Sequence, residues 1–113
     1  MHELSIALRI VDIAEEEAKK AGADEVTDLE IEVGKLSGVI VDALEFAMIE
    51  AVRNSVLEKT RIDILEIDSK ARCNSCHSEF EINELYDICP HCQSINLEIL
   101  TGQELRVKSL KVK

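Results

Sequence analysis

The alternation of apolar and polar positions divides the chain into six stretches. Residues 3–21 carry Leu4, Ala7, Leu8, Val11, Ala14 and Ala18 at three- and four-residue steps, and Ile6, Ile10 and Ile13 widen that stripe. This spacing predicts an amphipathic helix. Arg9, Asp12, Glu15, Glu16, Lys19 and Lys20 mark its wet side, and Gly22 is a natural stop. Residues 26–33 alternate instead, with Leu29, Ile31 and Val33 on one face and Asp28, Glu30 and Glu32 on the other. That is the period of a half-buried strand. Gly34 ends it, and Ser37-Gly38 supplies a turn. Helical spacing returns over residues 40–56 through Leu44, Ala47, Met48, Ala51 and Val52. A second strand follows over 60–67. Its phase slips from Ile62 and Ile64 to Leu65 and Ile67, which predicts a bulge or a strongly twisted end. A third strand spans 103–112 and slips too, from Leu105 and Val107 to Leu110 and Val112.

Residues 69–100 interrupt this series before the last strand. The first two strands, joined by a helix, are expected to pair in parallel through a crossover. The third then completes an α+β fold: two helices packed on a small three-stranded mixed sheet, with a four-cysteine zinc-ribbon module inserted. The expected division is an α/β domain of residues 1–68 and 101–113 and a zinc-binding domain of residues 69–100. The connections near 68–72 and 99–102 are poor in Gly and Pro, so a limited hinge is expected there.

Composition narrows the class. The chain has 113 residues, 46% of them hydrophobic but only 3% aromatic, so its core must be aliphatic. No run of about 18 apolar residues exists, and the start lacks a basic n-region, so neither a membrane span nor a signal peptide is expected. A cytoplasmic protein is the expectation. The formal net charge is −10. The cysteine stretch is itself acidic and lacks interleaved aromatics, which disfavours nucleic acid as a partner. The last strand is the basic one, with Arg106, Lys108, Lys111 and Lys113, and can lie against the acidic first strand.

Every cysteine falls in two Cys-x-x-Cys pairs, Cys73/Cys76 and Cys89/Cys92. Two such turns facing each other make a tetrahedron of thiolates, the geometry Zn²⁺ favours. Disulfides are disfavoured without a secretory signal. A redox pair would need one motif in a strand-to-helix context, and rubredoxin-like iron is disfavoured by the scarcity of aromatic packing. Four thiolates leave no open position for water, so the zinc is structural. His77 and His91 flank the cysteines as exposed knuckle residues. The chain has no His-Glu-x-x-His and no phosphate-cradling Gly loop, so an enzyme is not expected.

His2 admits two readings. It can be a frayed terminal residue, with Glu3 favouring the positive end of the first helix. Alternatively, the Met1 amine, the His2 amide nitrogen and the His2 imidazole close fused chelate rings on one ion, with Glu3 as a further donor. A planar nitrogen-rich set suits Ni(II) or Cu(II).

Met1-His2-Glu3-Leu4-Ser5, Val33-Gly34-Lys35-Leu36-Ser37-Gly38 and the two cysteine pairs together resemble the HypA/HybF family of nickel metallochaperones, along essentially the whole chain. The resemblance implies a nickel-binding α/β domain carrying a zinc domain. It implies His2 as the nickel ligand, with Met1 and Glu3 as helpers, and Cys73, Cys76, Cys89 and Cys92 as zinc ligands. It also implies partners, the GTPase HypB and the hydrogenase large subunit that receives Ni(II). Asp42 lies near an acidic position of some relatives and is given no role. The competing class is a zinc-ribbon interaction module for protein or nucleic acid.

Overall fold

A computed structural model describes residues 3–113; the expectations for Met1 and His2 fall outside the described residues. The elements run α1 (Glu3–Lys20), β1 (Val26–Gly34), α2 (Val41–Ala51), β2 (Arg61–Ile67), β3 (Lys70–Cys73), β4 (Glu79–Glu81), β5 (Leu97–Thr101) and β6 (Leu105–Val112). They form two three-stranded sheets, of order β2-β1-β6 and β4-β3-β5.

α1 buries Ile6, Ala7, Ile10, Val11, Ala14 and Ala18. Its core stripe is therefore rotated from the expected one: Leu4 and Leu8 are half exposed, and Ile6 and Ile10 take their place. The helix ends at Gly22, whose φ of +67° suits glycine. The Ala23 N–H then reaches back to the Ala18 carbonyl at 2.9 Å, satisfying a carbonyl the helix end would orphan. α2 stops several residues earlier than its apolar spacing predicts. The Ser55 hydroxyl donates to the Val52 carbonyl and accepts the Leu57 N–H, and Asn54 turns left-handed at φ 58°. This competing local bonding converts the expected last turn into a loop. The loop drops Leu57 fully into the core.

β1 and β2 pair in parallel and β1 and β6 antiparallel, giving the expected mixed sheet. The two slipped strands differ in cause. β6 carries a true bulge: Glu30 pairs with Ser109 but Ile31 with Val107, leaving Lys108 as an extra residue. β2 carries none; its pairing with β1 is unbroken from Asp28↔Arg61 to Gly34↔Ile67. Leu65 and Ile67 simply occupy the second face, where they are half-buried. Basic β6 meets acidic β1 as expected: Arg106 Nε donates to Glu32 Oε1 at 2.5 Å and the Ser109 hydroxyl to Glu30 at 2.9 Å. Glu32 is only 9% exposed.

One hydrophobic cluster joins α1, α2 and the first sheet, around Leu29, Ile31, Val33, Leu44, Met48 and Leu57. The buried apolar residues in and around the second sheet, Ala71, Cys73, Ile82 and Cys89, lie outside that cluster. The molecule is accordingly long, 54 × 25 × 17 Å. Among the described residues, no helix is long and apolar enough to cross a membrane.

The two sheets meet at a tight backbone crossing. The Leu36 N–H donates to the Gly102 carbonyl at 2.7 Å, and the Gly34 N–H to that of Glu104 at 2.7 Å. Gly102 has φ +112°, and a Cβ there would come within 2.8 Å of Ser69 Cα. The Thr101 hydroxyl donates to the Asp68 carbonyl at 2.8 Å, and Lys35 Nζ pairs with Asp68 at 2.6 Å. The junctions expected to hinge are thus closely bonded on both strands.

Candidate metal centre

The second sheet positions the cysteines. Cys73 ends β3, and Cys89 enters the loop that leads to β5. Both first-position cysteines are buried, while Cys76 and Cys92 are exposed. Each pair makes the same knuckle. The N–H of the residue after the second cysteine returns to the first cysteine's carbonyl: His77 to Cys73 and Gln93 to Cys89, both at 2.8 Å. The next residue closes a second ring, Cys73 N–H to Ser78 at 2.9 Å and Cys89 N–H to Ser94 at 3.0 Å. His77 and Gln93 adopt φ of 64° and 62° to make this turn. Neither is glycine, so the residue types gave little sign of the left-handed conformation, although histidine adopts it more readily than most side chains.

The knuckles face each other across direct bonds. Asn74 N–H donates to the Asn96 carbonyl at 2.9 Å, and the Ser75 and Ser94 hydroxyls lie 3.0 Å apart. The four Sγ atoms lie within 4.8 Å of one another. Cys73 and Cys92 sulfurs are 3.5 Å apart, and those of Cys76 and Cys89 3.7 Å. A tetrahedral ion with Zn–S bonds of about 2.3 Å needs sulfurs about 3.8 Å apart. The same spacings are far beyond a disulfide bond of about 2.05 Å. This donor set fits a tetrahedral thiophilic ion.

The surrounding dipoles favour sulfur as an anion. The Cys76 and Ser75 N–H groups both point at Cys73 Sγ from 3.4 Å. Led by the Cys76 N–H, they hold the Cys73 thiol down to about 6. The Ser78 hydroxyl, 3.1 Å away, lowers Cys76 as well. At Cys92 the Ser94 N–H pulls the same way but is outweighed. The Cys73 sulfur, burial and the other two sulfurs push its thiol up to about 12. A metal binds cysteine as thiolate, so an ion entering the cage must displace the protons its thiols still hold.

The structure brings together all four sequence-predicted cysteines. It leaves His77 and His91 exposed beside them and outside that cluster. Glu3 opens α1 and is partly buried, and Asp42 is exposed in the first turn of α2. The Gly34–Gly102 crossing was not anticipated. Gly34 marks the end of the first predicted strand and Gly102 a border of the module, and nothing in the sequence links the two.

Comparison with known proteins places this geometry. The family model described as "Hydrogenase/urease nickel incorporation, metallochaperone, hypA" matches residues 1–112. The Hydrogenase maturation factor HypA of Parabacteroides distasonis is 49% identical over 113 residues, covering 100% of this chain and 98% of that protein. Its counterpart in Geotalea daltonii is 41% identical, covering 99% of each. The solution structure of the Ni metallochaperone HypA from Helicobacter pylori superposes with a TM-score of 0.73 at 28% identity, covering 99% of this chain and 97% of that one.

Proposed function

The chain belongs to the HypA family of nickel-incorporation metallochaperones, and from that premise we propose a division of labour between two metal sites. The family acts in hydrogenase maturation and is not a family of enzymes. In the proposed division, Cys73, Cys76, Cys89 and Cys92 hold Zn(II) permanently and shape residues 69–100 into a separate zinc domain. Residues 1–68 and 101–113 form the domain that carries Ni(II) as cargo. The observation that carries this reading is the closed sulfur cage, with all four donors drawn within 4.8 Å of one another. Such a set encloses its ion and suits a structural role rather than release.

The cargo needs donors that can let go in turn. Met1 amine, His2 amide and His2 imidazole supply such a set, with Glu3 as a further donor. Binding displaces protons from these nitrogens, so affinity falls as pH drops through the His2 pKa. Raw affinity cannot select Ni(II), because divalent metals bind such ligands more tightly towards copper. Selection then falls to geometry and to the docked partner. The proposed partners are the GTPase HypB and the hydrogenase large subunit that receives the ion, in the cytoplasm.

The test uses protein with an unmodified N-terminus. His2→Ala should abolish stoichiometric Ni(II) binding in calorimetry while zinc content stays at one per chain. Retention of nickel affinity by that variant, or by a chain extended ahead of Met1, would overturn the assignment.

A further inference from the structure

We propose that the outer edge of β2, with the groove between it and α2, is a docking site for an extended apolar-and-basic segment of a partner protein. That segment would join the first sheet as a fourth strand. The inference does not depend on where nickel binds.

The two edges of the first sheet are built differently. The β6 edge carries Arg106, Lys108 and Lys111 and the bulge at Lys108, and a second register shift against it falls at Thr27 of β1. Charged side chains and bulges are the usual guards against pairing with another chain. β2 also carries charges, Arg61, Asp63 and Glu66, but it has neither a lysine nor a proline, and its pairing with β1 is regular along its whole length. Its outward polar groups can be identified. The Lys35 N–H donates to the Ile67 carbonyl at 3.0 Å, so Ile67 turns its main chain towards β1. Alternation then turns the N–H and C=O groups of Ile62, Ile64 and Glu66 outward. Among the described residues, none of these groups has another hydrogen-bond partner.

The edge is bordered by an apolar groove lined by Met48, Ile49, Val52, Ile62 and Ile64. Ile49 is 62% exposed, and Phe46 on the same helix is 75% exposed. A strand laid along β2 would place alternate side chains in this groove, which is how added strands gain specificity. The rim selects the charge of the occupant. Glu45 and Glu58 line the groove and Glu66 shares its face, while on the opposite face, where the other alternate side chains would fall, Asp63 is exposed and stands in register beside Glu30. Two nearby cations are already engaged, Arg53 with Glu50 at 3.6 Å and Arg61 with Asp63 at 3.8 Å. The complement is a segment alternating apolar and basic residues.

A second copy of this chain fits poorly. Antiparallel self-pairing of β2 about Ile64 would set Ile62 opposite Glu66 and Asp63 opposite Leu65. It would also bring two acidic rims together, and like charges oppose cross-strand pairing.

The test is amide hydrogen exchange by NMR on the zinc-loaded full chain. In the free protein the amides of Ile62, Ile64 and Glu66 should exchange readily, while those of Asp63 and Leu65 are protected. The probe is a short peptide alternating valine and lysine, matched to β2 in length. At saturation it should slow exchange at those three amides by about tenfold. Ile49→Glu, on an exposed side chain, should abolish the effect without changing the fold, and Glu45→Lys should weaken it. Four results would overturn the proposal: no slowing at millimolar peptide, equal slowing by a valine–glutamate peptide, equal slowing by a peptide with a central proline, or self-association of the free chain that already protects those amides.

Discussion

A Cβ added to Gly34 would overlap the carbonyl group of Gly102 and stand 2.6 Å from the Gln103 nitrogen. The obstacle is backbone, which has little room to move. Gly34→Ala should therefore lower stability by about 3 kcal/mol, the upper part of the usual cost of overpacking. Gly22→Ala is the control. Nothing lies within 4 Å of a Cβ there, so only the left-handed φ of 67° opposes it. Its cost should be about 1 kcal/mol. Urea unfolding of the zinc-loaded proteins measures both, and equal costs would contradict the crossing described.

Leu57 should behave as a core residue despite lying beyond α2. It is fully buried in the cluster with Leu44 and Met48. Leu57→Ala should cost about 2–4 kcal/mol, from lost burial plus the cavity left behind. Leu8→Ala, on a half-exposed side chain of α1, should cost less than about 1 kcal/mol. Thermal unfolding of the two variants side by side gives the comparison.

The Lys35–Asp68 pair at the junction gives a pH signature. Hydrogen bonding to Lys35 and its charge lower the Asp68 pKa, and the same contacts raise that of Lys35. The Asp68 contribution is present above its unfolded pKa of about 3.9 and is lost as pH falls through the lower folded value. The Lys35 contribution is present below about 10.4 and is lost as pH rises through its raised value. The stability difference between wild type and Asp68→Asn should therefore be flat from about pH 5 to 9 and shrink at both extremes. A change between pH 6 and 8 would assign the effect to another group. Both side chains are well exposed, so added salt should reduce the difference.

Glu32 and Arg106 test the contact between acidic β1 and basic β6. The Glu32 side chain is 12% exposed, whereas that of Arg106 is 67% exposed. Arg106→Met would leave the carboxylate poorly solvated and without its donor, and should cost about 1–2 kcal/mol. Adding Glu32→Gln should recover part of that loss. A double-mutant cycle measures the coupling, and strictly additive losses would mean that the pair contributes no coupling.

Much of this architecture was legible because its signals are local. Period 3.6 in α1 and period 2 in β1 depend only on neighbouring residues, and the cysteine spacing states its chemistry directly. The slip in β6 was also visible, because Lys108 breaks the alternation between Val107 and Leu110. The same apparent slip in β2 misled, because a strand with half-buried residues on both faces also breaks a simple alternation. The end of α2 was misread because Ser55 offers the backbone hydrogen bonds that apolar spacing does not reveal. The Gly34–Gly102 crossing joins residues distant in sequence, so neither glycine alone could disclose it. The outward main chain of β2 needed the pairing register, which only the fold supplies.

The division between a locked ion and a transferable one is tested most directly by X-ray absorption at the nickel edge. The sample is the untagged chain loaded with one zinc and one nickel. The account predicts a nickel shell of nitrogen and oxygen with an imidazole contribution and no sulfur, and loss of that spectrum in His2→Ala. Sulfur in the nickel shell, unchanged by His2→Ala, would place the cargo among the cysteines and contradict it.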